Sequence, residues 1–135
     1  MDNLRCLWYS KAKYRQKGQK TMIVKVTKAE QLPICLDIIH KSFQTVAEDL
    51  HLTRENCPGH TAFMPPEKLR AAFDGGCSLF LCRYQNTFAG CFSLHPTADG
   101  ATLDHLAVLP PYRHLGLGKE MVAYAADLSL IHISE

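Results

Sequence analysis

The stretch Met22-Ile23-Val24-Lys25-Val26-Thr27 is short, β-branched and partly alternating, which predicts a strand. Thr27-Lys28-Ala29-Glu30 follows with a hydroxyl and a carboxylate at the spacing of a capping box, so a helix is expected next. Pro33 belongs near its start, and Cys35, Ile38, Ile39, Phe43, Val46 and Leu50 recur at roughly helical spacing, reading as its core-facing stripe. The pattern dissolves over residues 51–66, where Pro58, Gly59, Pro65 and Pro66 mark a loop region with room for a short turn.

A brief second helix is expected over residues 67–73, stopped by Gly75-Gly76. Two β-rich runs, residues 77–84 and 87–95, are separated by Gln85-Asn86, the spacing of a tight hairpin. Turn residues 96–100 lead to a third run, 101–109, ended by Pro110-Pro111, whose fixed φ and missing N–H stop strand pairing. A last helix begins within residues 112–125, and no repeat or low-complexity stretch interrupts the order.

Composition narrows the class. With 135 residues, 47% of them apolar and 21% charged, the chain suits one folded domain rather than a disordered or fibrous protein. No apolar run approaches the roughly 18 residues that span a bilayer, and the first twenty lack a signal peptide's apolar stretch, so a cytoplasmic protein without a membrane partner is expected. The six cysteines, Cys6, Cys35, Cys57, Cys77, Cys82 and Cys91, are accordingly read as reduced. No metal site is expected: there is no CxxC pair, and Cys57-Pro58-Gly59-His60 offers two ligands where structural zinc takes four.

The net charge of +2 conceals an asymmetry, because Arg5, Lys11, Lys13, Arg15, Lys17 and Lys20 stand against Asp2 in the first twenty residues. A basic arm for nucleic acid would bind with steep salt dependence. The plainer reading is that translation starts at Met22 and residues 1–21 are upstream sequence, in which case no nucleic-acid partner is expected.

Candidate chemistry lies at Arg113-His114-Leu115-Gly116-Leu117-Gly118-Lys119, between the third run and the last helix. Glycines at 116 and 118 permit a tight turn and close approach of a ligand, and first-turn N–H groups lack an intrahelical acceptor. With the positive end of the helix dipole they favour a phosphate, and Arg113 and Lys119 add charge at the same turn. A Walker A loop would need glycine at Arg113 and Ser or Thr at Glu120, and a dinucleotide fingerprint would need glycine at Met121. A purely structural strand-to-helix turn is the remaining alternative.

The pattern Arg/Gln-x-x-Gly-x-Gly/Ala after the apolar run Leu103-Asp104-His105-Leu106-Ala107-Val108-Leu109 resembles the acetyl-CoA signature of the GNAT family of N-acetyltransferases. The resemblance covers most of residues 22–127. It implies an α/β (α+β) fold, with a mixed, mostly antiparallel sheet flanked by helices in the order β-α-α-β-β-β-α. It further implies that acetyl-CoA acts as co-substrate, its pyrophosphate on Arg113, His114, Leu115, Gly116, Leu117, Gly118 and Lys119. The pantetheine arm would pair with Leu106, Ala107 and Val108, and a backbone N–H near Val108 would serve the oxyanion.

An unidentified amine acceptor completes the expected reaction, and a homodimer is compatible with it. Asp104 is the candidate base, acting directly or through water, against the alternative of a solvated strand residue. His105 would, by strand alternation, face the other way as a satisfied half-buried histidine. The loop with His51, Glu55, Cys57 and His60 corresponds to the region that shapes the acceptor pocket in relatives. The rival to an enzyme is a GNAT-like module that binds acetyl-CoA or docks a partner without turnover.

The chain also departs from the family. After Asp127 the resemblance implies a further strand, a helix bearing the usual general-acid tyrosine, and a closing strand pair, all expected to be missing here; Tyr124, on the earlier helix, is expected to pack or face solvent. Residues 128–135 match what one frame of a transposon-based sequencing adapter would encode and are expected to be a non-native tail on a partial domain, residues 22–127.

Overall fold

A computed structural model describes residues 21–129 and 131–133. Strand β1 (Thr21–Lys25) is followed by a 3-10 turn, Ala29–Gln31, and helix α1 (Leu32–Asp49); after a second 3-10 turn, Thr61–Phe63, comes α2 (Pro66–Asp74). Strands β2 (Ser78–Tyr84), β3 (Thr87–Thr97) and β4 (Gly100–Val108) run in succession, and a 3-10 turn, Pro110–Tyr112, leads to α3 (Leu117–Leu128) and β5 (Ile131–Ile133). The sheet order is β1-β2-β3-β4-β5, antiparallel except for the parallel β4–β5 pair. The expected order β-α-α-β-β-β-α and the mixed, mostly antiparallel sheet are both observed.

The β2–β3 hairpin follows from its two central residues. Gln85 and Asn86 both adopt positive φ, 50° and 78°, the mirror-image turn whose twist matches the flanking strands. Alternation along β2 then builds two cores. Leu79 and Leu81 join Val26, Cys35, Ile38, Ile39 and Leu69 under α1 and α2, while Phe80 and Cys82 join Phe92, Leu117, Met121 and Ala125 under α3. Helices α1 and α2 thus cover one face of the sheet and α3 the other.

Several local expectations shift. Thr21, assigned by sequence to the upstream stretch, is the first residue of β1, and its hydroxyl donates to Glu120 Oε2 at 3.1 Å. The entry to α1 is closed by Gln31 rather than Glu30: Gln31 Oε1 accepts from the N–H groups of Thr27 (2.8 Å) and Lys28 (3.1 Å). The α1 stripe holds through Ile39 and the half-buried Phe43, but Val46 and Leu50 are 41% and 61% exposed, and Ser42 and Ala47 are buried instead. The basic segment, residues 1–20, lies outside the described residues.

The expectation of missing C-terminal strands is corrected in part. Ile131, His132 and Ile133 pair in parallel with Ala101, Thr102 and Leu103, and Ile131 is buried in the α3-side core. An alternation of apolar residues next to an unpaired strand edge is enough to add a short strand there.

Buried thiols give the fold a signature. Burial pushes Cys35 up to about 12 and also Cys82 up to about 12, the latter helped by the nearby Glu120 carboxylate; Cys77 and Cys91 are raised by the same loss of solvent. In an unfolded chain these thiols ionise near 9.0, so their stabilising effect is complete below that pH and is lost as pH rises through the folded values. The urea midpoint should therefore fall between pH 8.5 and pH 11, and fall less steeply in Cys35→Ala; equal slopes in the two proteins would contradict this account.

Candidate functional site

The strand that carries the site is not regular. Across β3 and β4, Ser93 faces Asp104 and Cys91 faces Ala107, so His105 and Leu106 together oppose Phe92. That is a β-bulge, with His105 in the left-handed region at φ 54°. Its backbone is tied down on each side: His105 N–H donates to Asp104 Oδ1 at 2.8 Å, Ser93 Oγ donates to the Asp104 carbonyl at 3.1 Å, and the Cys91 thiol approaches the His105 carbonyl at 3.9 Å.

The extra residue resets the alternation downstream. Ala101 and Leu103 pack beneath α3, yet after the bulge it is Leu106 and Val108 that lie against that core, while Ala107 joins the α1 side. Hydrogen-bond direction is reset with it. Leu109 N–H donates to Ala89 O at 2.8 Å across the Gly90–Val108 pair, which makes that pair a non-hydrogen-bonded one. Val108 therefore turns its own N–H and C=O away from β3, toward the edge of β4. Strand β5 pairs with that edge only at Ala101, Thr102 and Leu103, leaving it unpaired by β5 from Asp104 to Val108.

Gly90 makes the close approach of β3 and β4 possible: a Cβ there would lie 2.8 Å from Ala107 O and 2.9 Å from Met121 Cε.

Pro110 and Pro111 end β4 in a single 3-10 turn, closed by Tyr112 N–H to Leu109 O at 2.9 Å. His114 and Gly116 then take positive φ, 67° and 82°, and Gly116 is the N-cap of α3. The first cap-to-helix bond runs from Glu120 N–H to Gly116 O at 3.1 Å, so the N–H groups of Leu117, Gly118 and Lys119 have no intrahelical acceptor. Glycine at the cap offers no side chain to fill them. These residues, with Val108, Tyr112, Arg113, His114 and Leu115, line an open depression of about 570 Å³ at the end of β4.

The sequence-predicted residues thus come together, with two differences. The Arg113 guanidinium reaches across to α1, donating to Ser42 O at 2.7 Å and to Thr45 Oγ1 at 3.3 Å, so it docks the loop while Lys119 is the exposed cation of the turn. Asp104, the candidate base, has one carboxylate oxygen committed to the bulge. Tyr124 packs edge-on against Phe80, ring centroids 5.7 Å apart. Cys57 and His60 stay apart from this region in their own loop, where His60 Nδ1 accepts from Ala62 N–H at 3.1 Å. Among the described residues no group of His, Cys, Asp and Glu could hold a metal ion, and no helix is long and apolar enough to cross a membrane.

A bulged β4, unpaired by β5 beyond Leu103, thus leads through a glycine turn into a helix N-terminus. Residues 43–130 match the acetyltransferase (GNAT) family, and the chain belongs to it. No curated protein matches the chain.

Similar solved structures include PaiA N-acetyltransferase from Thermoplasma acidophilum in complex with coenzyme A, 16% identical over 79% of this chain and 71% of that one, with a TM-score of 0.58. An aminoglycoside acetyltransferase from an uncultured soil metagenomic sample, in complex with sisomicin, is 14% identical over 88% and 80%, with a TM-score of 0.59. At such identities the likeness is one of fold. The chain spans only 38% and 34% of the length of two further matches, from Staphylococcus epidermidis and Pyrococcus horikoshii.

If Asp104 holds the bulge through one acceptor oxygen, Asp104→Asn should stay within about 0.5 kcal/mol of wild type in urea unfolding, whereas Asp104→Ala should lose about 1–2 kcal/mol. Equal losses in both variants would sink that role.

Proposed function

We propose that the protein is an acetyl-CoA-dependent N-acetyltransferase, in which the N–H groups at the start of α3 hold the co-substrate's pyrophosphate and the unpaired edge of β4 receives its pantetheine arm. The observation that carries this reading is Gly118. Unlike Gly116, it has no left-handed φ to require glycine, and among the described residues a Cβ there would meet nothing within 4 Å beyond its chain neighbours and its own helix backbone. Packing and backbone do not explain this glycine; a ligand drawn close to the helix N-terminus does.

Lys119 adds a second reason. A cation in the first turn runs against the helix dipole, a cost that an anion bound at the same turn would reverse. A pyrophosphate fits both residues.

In the proposed reaction a neutral amine attacks the thioester carbon. The N–H of Val108, turned outward from β3, is the donor suited to the developing oxyanion, and a preorganised donor of that kind is worth roughly 3–4 kcal/mol in the transition state. Leu106 and Ala107 supply neighbouring backbone for the pantetheine amides. A base on β4 takes the amine's proton, and the thiolate of coenzyme A leaves.

Substituting the two glycines separates the structural role from the ligand role. Gly116→Ala should lower stability by about 1 kcal/mol through its positive φ. Gly118→Ala should leave the urea midpoint unchanged or slightly raised while weakening coenzyme A binding at least about tenfold, or about 1.4 kcal/mol, in calorimetric titration. Wild-type affinity in Gly118→Ala would refute the assignment of the loop.

A further inference from the structure

We infer that His105, rather than Asp104, is the base that takes the amine's proton, and that Ser93 is the positioning residue that leaves its Nε2 bare for the task; the inference rests on the acetyltransferase reading. It follows from counting protons around one buried hydroxyl. Ser93 is 1% exposed, and its single hydroxyl proton is donated to the Asp104 carbonyl, an atom that can only accept, at 3.1 Å. The contact between Ser93 Oγ and His105 Nδ1 at 3.2 Å must then be made with the proton of the imidazole. Neutral His105 is thereby held as the Nδ1–H tautomer, and the Nε2 lone pair is left as its acceptor.

Asp104 is placed less well. One of its oxygens closes the bulge on His105 N–H, and protonating that carboxylate would weaken the hydrogen bond that shapes the strand. The bulge also undoes the alternation that would have set His105 and Asp104 on opposite faces. Its left-handed φ carries the His105 side chain to Ser93, at the point where β4 leaves β5 and its edge becomes unpaired by that strand. From there Val108 lies three residues on, about 10 Å of strand, a span that an imidazole and an attached amine can bridge.

The ionisable groups gathered on this cluster are the Asp104 carboxylate and the Cys77 and Cys91 thiols. Cys77 shares a hydrogen bond with Ser93, and both thiols are raised by burial. Both therefore stay neutral at physiological pH.

The step balances. The amine nitrogen bonds to the thioester carbon as His105 Nε2 takes its proton; the carbon–sulfur bond then breaks, the thiolate gains a proton from water, and the imidazolium returns one to water.

Two measurements test this on the intact chain. Long-range proton–nitrogen NMR should find neutral His105 protonated at Nδ1 and bare at Nε2, shifting toward Nε2–H in Ser93→Ala; an Nε2–H tautomer in the wild type would overturn the inference. His105→Asn suits the left-handed backbone and should fold. With acetyl-CoA and an amine panel it should keep coenzyme A affinity within about twofold, lower kcat at least about 100-fold, and abolish the acid limb of the pH–rate profile. Unchanged kcat at unchanged affinity would overturn His105 and leave the cofactor reading intact. Failure of the wild-type chain to bind acetyl-CoA would overturn that reading, and this inference with it.

Discussion

One extra residue in β4 is the constraint on which the site depends. Without the bulge at His105 and Leu106, the strand would continue the alternation set by Ala101 and Leu103, and the peptide at Val108 would be directed toward β3. With it, Val108 presents N–H and C=O to the strand's outer edge, Leu106 turns into the α3-side core, and Asp104, His105 and Ser93 gather into one hydrogen-bonded group. The shift in a single register number thus redirects the side chains and the backbone donors together.

The turn that follows is held from both faces of the sheet. On one side Arg113 anchors it to the carbonyl of Ser42 on α1; on the other, Leu117 and Met121 are buried at 1% and 0% exposure. The N–H groups at the start of α3 are consequently aimed by packing on either side, which is what an anion site needs if binding is not first to order the loop. The two glycines divide the work there, Gly116 serving the backbone and Gly118 leaving space.

Much of this was legible in the sequence because local signals were strong. Gln85-Asn86 between two β-rich runs specified the hairpin, the double proline ended β4, and the glycine spacing located the helix N-terminus. What stayed hidden was non-local or lacked a marker. Arg113 reads as a cation beside a glycine loop, and only the fold brings it to Ser42, 71 residues away. The bulge carries no glycine, so period-two reasoning set Asp104 and His105 on opposite faces. The capping acceptor lay one residue beyond the expected one, since the chain enters α1 through a 3-10 turn. Residues 131–133 were set apart by their likeness to an adapter-encoded tail, yet their alternation suits the open β4 edge.

A non-glycine residue in the left-handed region costs roughly 1–2 kcal/mol, and the position of His105 is explicable only if its surroundings outweigh that cost. They do so through contacts that a regular strand would not make: an N–H to a carboxylate, a ring nitrogen to a buried hydroxyl, and that hydroxyl to a carbonyl. At about 1 kcal/mol each, three such bonds more than offset the strain. Because Ser93 has a single proton, the arrangement admits one consistent set of donors. The strained residue and the residue with a defined tautomer are therefore the same one, and the hydrogen bonds that hold the bulge also orient the imidazole.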